Sequence, residues 1–550
     1  MVSVFDSDEP LYARKRIRVV CVGAGMSGLG LAHKLQVEHH ATTDYPEGWV
    51  DYQIYEKNDD IGGTWYENTY PGVACDVPSH VYVFPFESNP SWSRYFSGGA
   101  EIQEYVKRTT KKYDLDRHVQ LQSKVIETSW DDDEAVWRIK IEKKDGTVFE
   151  DYAHVLINGA GILNKWKWPD IEGLNDFKGD LFHTAKWDHS VDLKDKRVLL
   201  IGNGSSAIQV LPNIQPLAKK IYNVIRNPTW VQPRNGVDLY NENHDYTPEE
   251  RKKFEEDPSI IAEFQRKVNE DYDAITYCFL KVTPGHDKLQ KEYAKVMAER
   301  LGNDPDLVNK FVPTYSAGCR RLTPGFGYLE ALQKPNVEPM FAKIDKITPT
   351  GAVITDENGQ RDIEVDVVIC ATGFDVTFKP FWEINGQKGI SLEQKWKKEV
   401  PKAYFSICVP DLPNYFVYNG PGFPAMHGTI PKALHAETEY IYLWLDKMGQ
   451  DRIKYITPKH NLVEQQYHFF QHRLKSTVFA SHCSSWYKKS PSEGGAIVAM
   501  YPGTMTHFEK ILSTLRPEDF DIEYDYPDHI FYFFGNGQTE GEVAKPNPYL

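Results

Sequence analysis

Gly23-Ala24-Gly25-Met26-Ser27-Gly28 follows the apolar run Ile17 to Val22 directly. Glycines in this GxGxxG spacing, placed after a strand and opening a helix, bind anions. The first permits a tight turn, the second lets backbone approach a pyrophosphate, and the third lets helix and strand pack closely. The free N–H groups and dipole of the helix start then favour the negative charge. Glu56 ends the next apolar strand, Asp51 to Tyr55, where an acidic side chain accepts hydrogen bonds from a ribose diol. Gly23, Gly25, Met26, Ser27, Gly28 and Glu56 are therefore candidates for a first dinucleotide site. The distance from Gly25 to Glu56 is longer than usual, and Glu38 to Trp49 reads as an inserted loop.

A second loop, Gly202-Asn203-Gly204-Ser205-Ser206-Ala207, follows Arg197 to Ile201 and has Ala in the third glycine place. The next strand, Ile221 to Ile225, ends in Arg226-Asn227. An arginine where an acid would select NAD favours the 2′-phosphate of NADP through bidentate, charge-assisted bonds. Gly202, Gly204, Ser205, Ser206, Arg226 and Asn227 are the candidates at this second site.

Both loops need a parallel sheet behind them, and the chain carries the same plan twice. Each loop is followed by a hairpin signal and then a strand entering glycine. Trp137, Ile139 and Ile141 alternate before Asp145-Gly146, and Val155 to Ile157 then enters Asn158-Gly159-Ala160-Gly161. Ala352 to Thr355 precede Asn358-Gly359, and Val365 to Cys370 then enters Ala371-Thr372-Gly373-Phe374. The expected fold class is α/β, with two Rossmann-like dinucleotide-binding domains, each a doubly wound parallel sheet, the second inserted in the first. The domains are expected at 1–165 with 385–550, holding the first dinucleotide site, and at 166–384, binding NADP. The charged stretch at about 236–310 is predicted to form a helical insertion.

Composition narrows the partners. Lys+Arg total 63 and Asp+Glu 78, a net charge of −15. So acidic a chain is a poor nucleic-acid binder. No run of about 18 apolar residues suggests a membrane span, and the polar start predicts no signal peptide. Cys21, Cys75, Cys278, Cys319, Cys370, Cys408 and Cys483 contain no CxxC pair. They are expected to be reduced thiols in a cytoplasmic protein, and a flavin disulfide reductase is excluded. No metal site is expected.

Three further motifs carry a resemblance to a known family. They are Phe177-Lys178-Gly179-Asp180-Leu181-Phe182-His183-Thr184-Ala185-Lys186-Trp187-Asp188, then Gly62-Gly63-Thr64-Trp65 through Tyr70-Pro71-Gly72 to Asp76, and Ala371-Thr372-Gly373-Phe374-Asp375. With the two glycine loops in order, the chain resembles the type I (class B) Baeyer–Villiger monooxygenases from about residue 15 to 500, and fungal members most.

The resemblance implies a reaction and a set of roles. NADPH would reduce FAD, O2 would add at flavin C4a as a peroxide, and the peroxide would attack a ketone to give an ester or lactone. The segment matching the family's basic pair is Gly318-Cys319-Arg320-Arg321. Arg321 would be catalytic, a permanent cation beside the flavin, with Asp76 as its partner. Arg320 would touch the 2′-phosphate. Gly63, Thr64, Trp65, Tyr66, Asp76 and Tyr82 would lie against FAD, and Trp486 would reach NADP from a late loop. His183 would fix the link between domains. The alternative is an N- or S-oxygenating flavin monooxygenase. In that group the position of Trp187 is held by Tyr or Phe.

Overall fold

The computed structural model describes residues 8–38, 48–232, 243–280, 283–489 and 495–543. Most of the expected inserted loop, 39–47, and the first part of the expected helical insertion, 236–242, lie outside the described residues.

The chain is an α/β protein built on two five-stranded parallel sheets. The first runs in the order Tyr415–Val417, Val155–Asn158, Ile17–Val22, Val50–Tyr55, Val119–Gln120. Its strands are near-continuous apolar runs because both faces are covered: Val19, Val20, Val155, Leu156 and Ile157 are all fully buried. The strand Tyr415–Val417 comes from the far end of the chain and pairs in parallel with Val155–Asn158. The second sheet runs in the order Val337–Phe341, Lys220–Ile225, Arg197–Ile201, Val367–Cys370, Asp180–His183.

Each parallel sheet is accompanied by an antiparallel meander. In the first, Ser123–Asp131, Val136–Lys143 and Val148–Ala153 pair in succession. Trp137, Ile139 and Ile141 are fully buried while Arg138 between them is exposed, the period-2 pattern of a half-buried strand. Glu383–Asn385 adds to this meander in parallel with Ser123–Asp131. The second meander is Lys343–Thr348, Gly351–Asp356 and Gly359–Glu364.

Four helices, Pro248–Glu256, Pro258–Leu280, Pro284–Arg300 and Pro305–Phe311, interrupt the second unit. The first opens on a capping box in which Glu250 N donates to Thr247 Oγ1 and Thr247 N to Glu250 Oε2. The longest, Pro258–Leu280, buries Ile261, Val268, Tyr272, Ile275 and Phe279 along one face and keeps its charges outside. Gln265 on this helix donates to the His80 carbonyl at 2.6 Å, so the insertion sits directly over the segment that follows Asp76.

Two results bear on partners and redox state. Among the described residues no helix is long and apolar enough to cross a membrane. The expectation of seven reduced thiols needs correction, because Cys319 and Cys483 form a disulfide with Cα atoms 6.3 Å apart. The other five cysteines are free. The pair is separated by 164 residues and brought together only by the tertiary fold, so no local spacing announces it.

Candidate active site

The in-register parallel pairing of Ile17–Val22 with Val50–Tyr55 brings Glu56 alongside the first glycine loop. Glu56 is 4% exposed. Its Oε2 accepts the Ala24 N–H at 2.8 Å and its Oε1 the Asn58 N–H at 2.9 Å. It therefore braces the loop, and a carboxylate with about four acceptor sites still has capacity for a ribose diol. A Cβ on Gly23, at φ +108°, would meet the Gly159 carbonyl oxygen at 2.7 Å, and one on Gly28 would lie 2.1 Å from the Gly23 carbonyl oxygen. On Gly25 the nearest atom would be 3.5 Å away. The first and third glycines are thus demanded by the protein itself, and the second leaves room for a ligand. The helix Met26–His33 starts at Gly25 without a side-chain cap, so its N-terminal N–H groups face outward for an anion.

The Gly62-Gly63-Thr64-Trp65 motif closes over this loop. Gly62 N donates to Ala24 O at 3.0 Å. Trp65 is buried and meets Tyr82 edge to face at 5.5 Å. Thr64 is exposed at the start of the short helix Thr64–Glu67. Tyr66 turns its hydroxyl to Asp59 on the outer side, and that hydrogen bond raises the phenol to about 12. Trp65 and Tyr82 therefore make the inner aromatic wall.

The second loop repeats the geometry. The helix Ser205–Ile214 begins at Gly204 with no side-chain cap, and a Cβ on Gly204 would meet nothing within 4 Å. Asn203 Nδ2 donates to the Asn227 carbonyl at 2.8 Å, tying loop to strand end. Arg226 and Asn227 are exposed beside it. Arg320 approaches from the other side, where its Nη1 donates to the Pro228 carbonyl at 3.2 Å. Ser205 Oγ lies 2.8 Å from Thr323 Oγ1, fixing the arginine segment to the same helix start. Ser206, the next residue of that helix, is half-buried.

The helix Ser205–Ile214 also carries the contact between the two units. Gln209 accepts from the Tyr70 hydroxyl at 2.8 Å and donates to the Ala74 carbonyl at 2.9 Å. Residues Val73 to Cys75 run beside Ser97 to Gly99 through Cys75 N to Ser97 O at 3.1 Å and Gly99 N to Val73 O at 2.8 Å. This ladder holds Asp76 in place. Its carboxylate grips Arg321 twice, Nε to Oδ2 at 2.5 Å and Nη2 to Oδ1 at 2.6 Å, and Arg321 Nη1 donates to Ala425 O at 3.3 Å. The side chains are 29% and 16% exposed, so the pair keeps one side open. Burial works against the guanidinium charge, but the Asp76 charge and hydrogen bonds outweigh it, with smaller contributions from Tyr487 and Cys75. The net effect holds Arg321 above its ordinary range, permanently charged.

His183 lies away from this pair. Its ring stacks on Trp166 at 4.8 Å, Nδ1 accepts from Ala185 N at 3.1 Å, and Nε2 lies 3.2 Å from Thr372 Oγ1. With Nδ1 accepting, the neutral ring carries its proton on Nε2 and donates to Thr372. Burial lowers its pKa to about 4. The FxGxxxHxxxW and ATGFD motifs are thereby pinned to the connecting segment at Trp166. Trp187 packs edge to face on Phe182 at 4.8 Å. Trp486 is half-buried against Tyr487, with ring centroids 4.7 Å apart.

Sequence reasoning did not single out Gln209, Thr323, Ala425, Tyr487 or Lys488. Gln209 had a usable signal, since it lies on the first turns of a phosphate-loop helix. The others are defined by contacts across the fold and carry no motif.

Residues 15–292 match the family Flavin-binding monooxygenase-like. The chain is 42% identical over 545 residues to the FAD-binding monooxygenase tazF of Aspergillus terreus, covering 98% of this chain and 95% of that one. It is 31% identical over 503 residues to a Baeyer-Villiger monooxygenase of Pseudomonas aeruginosa, covering 91% and 90%. In fold it is similar to the NADP+-bound cyclohexanone monooxygenase of Rhodococcus sp. Phi1, with a TM-score of 0.77 at 24% identity over 93% of this chain and 100% of that one. The protein belongs to the flavin-binding monooxygenase-like family.

Proposed function

We propose that the protein is an FAD- and NADPH-dependent Baeyer–Villiger monooxygenase that inserts one oxygen atom of O2 beside a ketone carbonyl, giving an ester or lactone and water. The observation that carries this reading is the Arg321–Asp76 pair at the junction of two uncapped glycine-loop helices. FAD is assigned to residues 1–165 with 385–550, on Gly23, Gly25, Met26, Ser27, Gly28, Glu56, Gly63, Trp65 and Tyr82. NADPH is assigned to 166–384, on Gly202, Gly204, Ser205, Ser206, Arg226, Asn227 and Arg320, with Trp486 contributing from the later segment. The site is assigned to a cytoplasmic enzyme with no nucleic-acid or membrane partner.

When bound, FAD reduced by NADPH supplies the activation of O2. The chain's own part is positional and electrostatic. The helix starts at Gly25 and Gly204 hold the two pyrophosphates. Glu56 fixes one ribose. Arg321 places a guanidinium that cannot lose its proton where negative charge develops during oxygen insertion. Asp76 fixes the plane of that guanidinium through its two-bond grip, and leaves one face for the reacting groups. Trp65 and Tyr82 exclude water from the same wall.

The test is NADPH oxidation by the yellow protein against a panel of cyclic, linear and aromatic ketones, with products identified by mass spectrometry. An ester or lactone carrying one 18O atom from labelled O2 supports the reading. Oxidation of thioethers or amines with no ester from any ketone sinks it.

A further inference from the structure

The disulfide between Cys319 and Cys483 joins two segments that matter for different reasons. Cys319 is fully buried and immediately precedes Arg320 and Arg321. Cys483 is half-buried and stands three residues before Trp486. Of the seven cysteines, these are the two whose sulfurs meet.

The surroundings suit both oxidation states. Lys488 is 8% exposed and directs its Nζ to the Ser481 carbonyl at 2.6 Å, the Cys483 carbonyl at 3.4 Å and Cys319 Sγ at 3.9 Å. A buried ammonium beside a sulfur favours the thiolate, which is the reactive form. The Ser481 carbonyl also lies 3.3 Å from Cys319 Sγ and accepts from it when it is a thiol. By contrast, burial pushes Cys370 up to about 12, and burial with the nearby Glu56 charge pushes Cys21 up to about 12 against a backbone hydrogen bond from Gly159, so both stay protonated thiols.

The segment bearing Trp486 is held at its ends by other means. Val478 and Phe479 are buried at one end, and Val498 N donates to Tyr487 O at 2.7 Å at the other. Between them, residues 481–484 are half-buried or exposed. The covalent link to Cys319 ties this stretch to the arginine segment, with the Ser481 carbonyl and the Lys488 ammonium beside Cys319 Sγ.

We propose that Cys319 and Cys483 form a reversible redox site at which hydrogen peroxide closes a covalent clamp between the arginine pair and the Trp486 segment. Cys483, the more exposed of the two residues, reacts first. Its thiolate attacks one peroxide oxygen, the O–O bond breaks, and the released hydroxide takes a proton to leave as water, giving a sulfenic acid. The Cys319 thiolate then attacks that sulfur, the S–O bond breaks, the S–S bond forms, and a second water leaves. Two thiols and one hydrogen peroxide become one disulfide and two waters, with two electrons passing from sulfur to peroxide. The clamp's catalytic consequence rests on the oxygenase reading above. An oxygenase that activates O2 without a ketone in place releases hydrogen peroxide, and the oxidised clamp then holds the Trp486–Tyr487 segment to the arginine segment and restores coupling.

The flavin-loaded protein is reduced with a phosphine, desalted and divided. One half is treated with stoichiometric hydrogen peroxide, and both are alkylated and mapped by tryptic mass spectrometry without reductant. The expected result is a joined pair of peptides containing Cys319 and Cys483 in the peroxide-treated half, and two alkylated peptides in the other. Native cleavage by trypsin after the exposed Lys489 is expected to be slower in the joined form, and ester formed per NADPH higher. Cys483→Ser is expected to behave as the reduced form under both treatments. Alkylation of both cysteines after peroxide overturns the proposal, and so does a joined pair with unchanged cleavage at Lys489. Mapping and cleavage need no ketone, so a protein that oxygenates no ketone sinks the functional reading and leaves these two results to decide the redox site.

Discussion

Asp76 and Arg321 stand 245 residues apart in the chain and share two hydrogen bonds, 2.5 Å and 2.6 Å long, made by both carboxylate oxygens. The planar fork of arginine is matched edge-on by a carboxylate, a geometry that lysine cannot reproduce. The pair therefore fixes direction as well as charge.

Arg321→Ala is expected to stay yellow, because the first glycine loop and Glu56 do not depend on it. Loss of one such preorganised contact lowers oxygen insertion by about 10²–10³-fold. Arg321→Lys should recover part of this, as a charge without orientation. Asp76→Asn, which keeps one acceptor oxygen, should be milder than Asp76→Ala. The measurement is ester formed per NADPH, with hydrogen peroxide release followed in parallel. Undiminished ester from Arg321→Ala would move the role to another cation.

Gly25 and Gly28 separate folding from flavin binding. A Cβ at Gly28 would stand 2.1 Å from the Gly23 carbonyl oxygen, so Gly28→Ala must shift backbone and lower stability. A Cβ at Gly25 finds its nearest neighbour 3.5 Å away, so Gly25→Ala should fold with a near-normal melting temperature yet retain less FAD. Flavin absorbance per protein and thermal melting of the two apoproteins check this. Full flavin content in Gly25→Ala would remove the steric basis of the assignment.

Much of this was legible in the residues. The strands before Gly23 and Gly202, the hairpin turns at Gly146 and Gly359, and Glu56 and Arg226 at strand ends all follow from local patterns that reach only a few residues. The resemblance supplied what local patterns could not, the pairing of Arg321 with Asp76. Neither route reached Cys319 and Cys483, or the docking of Gln209 under Tyr70 and Ala74. These are contacts between segments far apart in sequence with no periodicity to mark them. The cysteines misled, because an odd, scattered set without CxxC says nothing about which two the fold will bring together.

The pH dependence of stability should show the buried histidines. Burial lowers the pKa of both His183 and His80 to about 4 from an ordinary 6.5. Between those values the unfolded chain binds protons that the folded protein excludes. Stability is therefore unaffected by these groups above pH 6.5 and falls as pH drops from 6.5 toward 4. His183→Gln keeps a donor for Thr372 and removes the titrating ring, so the slope in this window should lessen by up to one proton. Urea denaturation at several pH values measures it. An unchanged slope would mean that His183 does not titrate differently on folding.

The proposed cofactor choice rests on two arginines that reach one place from different segments. Arg226 is exposed at the end of Lys220–Ile225, next to Asn227, whose carbonyl is held by Asn203 of the second loop. Arg320 comes from the arginine segment, donates one N–H to the Pro228 carbonyl and also bonds the Tyr315 side chain, with further N–H groups of its five available to an anion. A 2′-phosphate bound between them would lie between two guanidinium groups. One charge-assisted bond is worth about 1.5–3 kcal/mol, or on the order of tenfold to a hundredfold in affinity. Arg226→Ala is expected to raise the KM for NADPH within that range and to leave the KM for NADH nearly unchanged. Arg320→Ala should do the same more weakly, because part of its bonding goes to backbone. In Arg226→Ala/Arg320→Ala, the preference for NADPH should fall further than in either single variant. The ratio of kcat/KM for NADPH and NADH in the four proteins decides it. Equal use of the two cofactors by the unaltered enzyme would leave neither arginine with a phosphate to bind.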